Sequence, residues 1–319
     1  MLFRSQFGTQ LKVSRAVVEL FQAPHEKGGK YGNYYASRLN TVIQTKQDVP
    51  SVPQIWSVVT LFLRSRPSQL EHWEFMTPWF QTLQKCFNSG DPEVKREANF
   101  AWNRLVFAIR PDEKTNPRFI KMLHQPFIGQ LNRKNGGKQG KEMFQVTISS
   151  ICNLLYYTLN PAASHVQLSL YWDSYVVPLI GKLSTTTGEQ GADKGTPNMD
   201  GVEQAIEILR SLLEPSTQSS ATPWKQDRAM AADLVKPNEL PSLDSKWVRK
   251  NCVPVLDVME HLLEQRFADL GKAQSPATEL WRSFLMTVAA AGAKEIKVSN
   301  ETMECVARIF TMLIGRAHV

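Results

Sequence analysis

Apolar residues recur at spacings of three and four along almost the whole chain, and no run of strict alternation interrupts them. That period belongs to helices. It predicts helices over roughly 9–22, 32–45, 53–66, 71–88, 91–109, 116–132, 142–159, 164–183, 201–213, 245–268, 276–293 and 299–316. The separators are short polar stretches such as PHEKGG, QDVPS, SRPSQ, NSGDP and RPDEKTN. Connections of that length between helices of similar size make successive helices antiparallel neighbours.

The segment DPEVKREANFAWNRLVFAI shows the pattern in detail. Asp91 is an N-cap, Pro92 suits the first helical position, and Glu93 favours the positive helix end. Val94, Ala98, Ala101, Trp102, Leu105 and Ile109 form one apolar face, and Phe100 and Phe107 a second strip. Arg96, Asn99, Asn103 and Arg110 form the remaining polar stripe, expected to face water. A helix buried on two sides belongs in a stacked array of helix pairs rather than in a four-helix bundle. DPEVKREA also fits D-x-x-V-[RK]-x-x-A, the second-helix pattern of HEAT repeats. The preceding helix, EHWEFMTPWFQTLQKCF, supplies the first, with a bend expected at Pro78. LDSKWVRKNCVPVL (243–256) is a looser echo, since Asp244 stands one residue too far from Val248 and Arg249. The predicted fold is all-α, a HEAT/armadillo-type α-solenoid of antiparallel helix pairs.

Tryptophans in the first turns of apolar helices are expected to fill gaps between layers: Trp56, Trp73, Trp102, Trp172 and Trp281 are assigned to the core rather than to ligand contact. Two stretches, 184–201 and 215–242, are rich in Ser, Thr, Gly and Pro and too poor in apolar residues to offset ordering entropy. The expected organisation is basic helical repeats over 1–183, a flexible loop over 184–200, a partly ordered excursion over 201–242 that includes the helix 201–213, and further repeats over 243–319. Thr196-Pro197 and Thr222-Pro223 read as unmodified exposed loop.

The chain has 319 residues, 42% hydrophobic and 21% charged, enough apolar content for a sizeable core or an elongated array of smaller ones. No run approaches the length needed to span a bilayer, and MLFRSQFGTQLK lacks the apolar stretch of an export signal. The four cysteines, Cys86, Cys152, Cys252 and Cys305, lie far apart in helix-like contexts and read as buried free thiols. No C-x-x-C or H-x₃₋₅-H spacing supports a metal site, so no cofactor is expected. Charge changes the picture more. Residues 1–138 carry 20 Lys and Arg against 10 Asp and Glu, whereas 139–319 carry 17 against 20. A basic N-terminal part suits a polyanionic partner, most often nucleic acid.

NRKNGGKQGKE (132–142) fails as a phosphate-binding P-loop, because Asn135 stands where the first glycine belongs and Glu142 follows the lysine. What remains is a basic loop between helices, open to two readings: a contact for phosphate backbone or a solvated connection. Its Arg133, Lys134, Lys138 and Lys141, with Arg96 and Arg104 of the helix 91–109, are the candidate DNA-binding residues. No G-x-S-x-G, H-E-x-x-H, kinase or G-x-G-x-x-G signature occurs. The chain reads as non-enzymatic.

The stretch 64–109, with its tryptophan helix, CFNSGDPEVK and AWNRL, resembles the N-terminal HEAT-repeat domain of the Rif family, the Rap-interacting factors of telomere-length control and replication timing. GTQLKVSRAVVELF, ASRLNTV and IWSVVTLFLRSRP resemble the fungal branch, and the likeness is best over 1–135. It implies a nuclear scaffold at chromosomes and telomeres that binds DNA, especially ends and duplex–single-strand junctions. It also implies self-association, telomere and replication proteins as partners, and roles in replication timing, DNA repair and the cell cycle. Phosphatase recruitment through R/K-V-x-F or S-I-L-K motifs is placed outside this chain, since neither motif occurs in it. The chain ends read as those of a fragment of a longer solenoid. The rival reading is a HEAT-type protein-interaction scaffold with no direct DNA contact.

Overall fold

The computed structural model describes residues 25–46, 49–63, 76–133, 137–185, 199–214, 223–224, 235–270, 272–292 and 299–314. The predicted helix 9–22, Trp73, Lys134, Thr196-Pro197 and Thr222 lie outside them. Among the described residues every regular element is helical, and they fall into two compact units, one made of those up to Tyr157 with Val235 and the other of those from Thr158 to Lys225 and from Lys236 onward.

In the first unit, α1 (His25–Thr45), α2 (Ser51–Leu63), α3 (Met76–Phe87) and α4 (Pro92–Ile109) precede two short helices, α5 (Pro117–Met122) and α6 (Gln125–Leu131), and the long α7 (Gly137–Thr158). Helix α4 begins where its cap residues dictate: the Asp91 carboxylate accepts from the Glu93 amide at 2.8 Å, with Pro92 next to it. It ends at Arg110, in the left-handed region at φ 44°, whose amide donates to the Val106 carbonyl. Pro78 sits in the first turn of α3, a position proline tolerates without bending a helix. The single helix expected over 116–132 is two, because Pro126 has no amide to continue the first ladder across Leu123 and His124.

Tryptophans lock these layers together. The rings of Trp56 and Trp79 stack at 5.5 Å, the Trp56 indole donates to the Trp79 carbonyl at 2.8 Å, and the Trp79 indole donates to the Thr60 hydroxyl at 2.9 Å. Trp102 donates to the Leu123 carbonyl at 2.9 Å and meets Phe80 and Phe87 edge-on. These hydrogen bonds let an indole bury fully without stranding its N–H.

The second unit holds α8 (His165–Tyr171), a π-helical stretch (Trp172–Val176), α9 (Val177–Thr185), α10 (Met199–Leu213), α11 (Ser245–Lys250), α12 (Cys252–Gln265), α13 (Pro276–Gly292) and α14 (Asn300–Ile314). The π stretch interrupts what the sequence suggests is one helix. Its wider turn brings Tyr171, Trp172, Ser174, Tyr175 and Val176 to the interior together. Asp244 caps α11, accepting from the Lys246 and Trp247 amides at 3.0 Å. Trp281 is only half-buried, stacked on Phe284.

Two expectations about side chains are corrected. Asn99 and Asn103 do not face water; both are 0% exposed. Asn99 exchanges hydrogen bonds with Gln130 of α6 and accepts from Ser150 of α7 at 3.1 Å, while Asn103 donates to Ser150 at 3.3 Å. The Asn99 and Gln130 amides satisfy each other across the helix interface and so can be buried, whereas Asn103 is buried with only its amide nitrogen bonded, to Ser150. Nor are all four cysteines free: Cys252 and Cys305 are disulfide-bonded, their Cα atoms 5.4 Å apart, whereas Cys86 and Cys152 remain buried thiols. The pair is 53 residues apart in sequence and meets only because α14 folds back on α12.

Candidate nucleic-acid interface

Helices α4 and α7 run side by side in the same direction. Asn99 and Asn103 of α4 meet Ser150 of α7, and Phe107 meets Tyr157 with ring centroids at 5.6 Å. The hydrogen-bonded partners are 47 to 51 residues apart in sequence. Lys138 and Lys141 lie in the first two turns of α7, N-terminal to the residues that meet α4. Arg133 reaches the turn between α3 and α4. Its guanidinium donates to the Phe87 carbonyl at 2.6 Å and to the Asn88 side-chain oxygen, completing the carbonyl end of α3. Arg133 is thus held at the α3–α4 turn, while Lys138 and Lys141 occupy the first turns of α7 and Arg96 those of α4.

The expected loop 132–142 is thus partly helix. Gly137, at φ 72°, opens α7 in a conformation that favours glycine, and Lys138 and Lys141 are exposed on the helix rather than strung along a loop. Three residues apart on a helix, they share one face. The N-terminal ends of two parallel helices add the partial positive charge of their unpaired amides. Asp91, Glu93, Glu97 and Glu142 offset part of that field.

The other candidates differ in availability. Arg96 is exposed and pairs with Glu93 at 3.2 Å, an arrangement in water that an incoming phosphate can replace at little cost. Arg104 is turned inward and donates to the Ser57 hydroxyl of α2 at 2.8 Å. Burial lowers its pKa to about 10 against the opposing effect of Glu97, so it stays charged at neutral pH but is committed to the α2–α4 interface. Arg110 is exposed at the far end of α4, its guanidinium 5.1 Å from the Phe107 ring centre. The exposed cations Lys114, Arg118 and Lys121 were missed by the sequence reading, although EKTNPRFIK is visibly basic. Among the described residues no group of three or more His, Cys, Asp or Glu could hold a metal ion, and no helix is long and apolar enough to cross a membrane.

Comparison with known proteins gives a consistent picture. The family model described as Rap1-interacting factor 1 N terminal matches residues 2–176. The telomere length regulator protein rif1 of Schizosaccharomyces pombe is 25% identical over 94% of this chain and 21% of its own length. The crystal structure of the Rif1 N-terminal domain from Saccharomyces cerevisiae is similar with a TM-score of 0.56 at 15% identity, covering 80% of this chain and 23% of that one. This chain spans about a fifth of the length of those relatives. The structural likeness shows the fold to be the all-α solenoid that the helix pattern predicts.

Proposed function

Because the chain belongs to the Rap1-interacting factor 1 N-terminal family, we propose that it is a non-enzymatic nuclear scaffold that grips DNA by its phosphate backbone within a regulator of telomere length. The observation that carries this reading is the exposure of Lys138 and Lys141 on the first turns of α7 and of Arg96 on those of α4, where its ion pair is replaceable, with Arg133 at the α3–α4 turn. Phosphate contacts of this kind position a protein without reading sequence. They suit DNA ends and duplex–single-strand junctions recognised by shape and charge. Replication timing, DNA repair, association with telomere and replication proteins, and self-association belong to the same reading, with phosphatase docking assigned to other parts of the parent protein.

A mobility-shift titration of the chain on a duplex–single-strand junction at two salt concentrations tests it. Four phosphate contacts give a log–log salt slope of about −3 to −4. Glutamate at 96, 138 and 141 should weaken binding at every salt concentration, and affinity insensitive to both changes would overturn the proposal. A second reading, a protein-interaction scaffold without DNA contact, draws on the exposed Met303, Val306 and Phe310 of α14. It predicts no DNA binding at either salt concentration.

A further inference from the structure

Helix α14 is attached in an unusual way. Of residues 300–311 only Cys305 is buried, and Met303, Val306 and Phe310 on the opposite face are 61%, 38% and 56% exposed. The inward face meets α11 and α12. Arg308 donates to Asp257 at 2.8 Å and to Glu260 at 2.9 Å. Glu301, held by its own backbone amide and the Ser299 hydroxyl, also lies in the field of Arg249 and Lys250. Ion pairs in contact with water hold a helix weakly, and with Cys305 the one buried residue among 300–311, that stretch of α14 belongs to the low-stability end of a structure. The Cys252–Cys305 bond is therefore the strongest single tie between α14 and the rest of its unit.

We infer that this bond is a reversible redox latch that decides whether α14 stays docked on α11 and α12. The Cα separation of 5.4 Å lets the bond form or break without moving the backbone. Cys252 opens α12 directly after Arg249, Lys250 and Asn251 and is 3% exposed, so oxidant and reductant reach the pair when α14 swings away. Hydrogen peroxide supplies the oxidant. The Cys252 thiolate attacks one peroxide oxygen; the S–O bond forms, the O–O bond breaks, and the departing hydroxide takes a proton to become water. The Cys305 sulfur then attacks that of Cys252; the S–S bond forms, the S–O bond breaks, and a second water leaves with the Cys305 proton. Two thiols and one peroxide become one disulfide and two waters. A dithiol reductant reverses the change through a mixed disulfide. The oxidised chain holds the apolar stripe of Met303, Val306 and Phe310 on a fixed helix, and the reduced chain releases it.

Hydrogen exchange of the whole chain, measured by mass spectrometry after peroxide treatment and after dithiothreitol, tests the latch. Amides of 300–314 should exchange at least about tenfold faster in the reduced chain, with 92–109 unchanged as the internal reference. A peptide map without reductant should show Cys252 joined to Cys305, while Cys86 and Cys152 are alkylated once the protein is unfolded. Cys305→Ser should exchange like the reduced chain with or without peroxide. Equal exchange of 300–314 in the two redox states, or four alkylatable thiols after peroxide, would overturn the inference. The comparison of the two states of the unaltered chain decides the matter even if the serine variant does not fold.

Discussion

The indole of Trp102 is fixed by the Leu123 carbonyl and by two phenylalanine edges, one of them Phe80, which leans in turn toward Phe119 of α5. Trp102→Ala should cost about 3–5 kcal/mol in urea unfolding, since it leaves a cavity and an unpaired carbonyl. Near-neutral stability would mean that the ring is not core. Asn99→Ala should cost about 1–3 kcal/mol for a different reason, because it removes buried hydrogen bonds to Gln130 and Ser150. His124 is 7% exposed, and its pKa is lowered from 6.5 by burial. The unfolded chain then takes up the proton first as pH falls, so the folded state loses stability from about pH 6.5 downward until His124 protonates in the fold as well. Unfolding curves between pH 8 and 5 should show that decline, and His124→Gln should flatten it.

Elements add effects that single contacts do not show. The Asp91 cap makes α4 start where it does, and Asp91→Ala should lower stability by about 1 kcal/mol. Lys138 and Lys141 stand at the positive end of α7, where cations oppose the helix dipole. Replacing both with glutamine should therefore raise folding stability by a few tenths to about 1 kcal/mol while weakening DNA binding. Opposite signs in unfolding and mobility-shift experiments on one variant would mark these lysines as kept for binding. Loss of stability would show that they support the fold instead.

For the whole molecule, the salt slope is the most informative number. Each phosphate-contacting cation removed should reduce it by about 1. Arg104→Gln should leave the slope unchanged and lower stability, because its guanidinium holds Ser57 rather than a partner. A reduced slope would mean that Arg104 turns outward when DNA binds.

Periodicity, caps and short connections are local, and they were enough to establish an all-helical chain, the start of α4 at its Asp-Pro pair, and tryptophans as core at 56, 102 and 172. A proline's missing amide is equally local, yet its effect at Pro126 and Pro78 depends on where each helix begins, which periodicity alone leaves uncertain by several residues. The candidate site was half legible: Lys138 and Lys141 could be picked out by charge, but their setting on a helix and the hold of Arg133 on the α3–α4 turn came from the tertiary structure. Polarity on a helix wheel likewise could not tell the wet Arg96 from the buried Asn99 and Asn103, because an amide can be buried once a polar group of another helix, here Gln130 or Ser150, stands opposite. Helical character and charge were thus written in local sequence. Which polar residues face inward, that Arg104 is committed to Ser57, and that cysteines 53 residues apart are bonded emerged on folding. Those outcomes depend on partners distant along the chain, which no local period encodes.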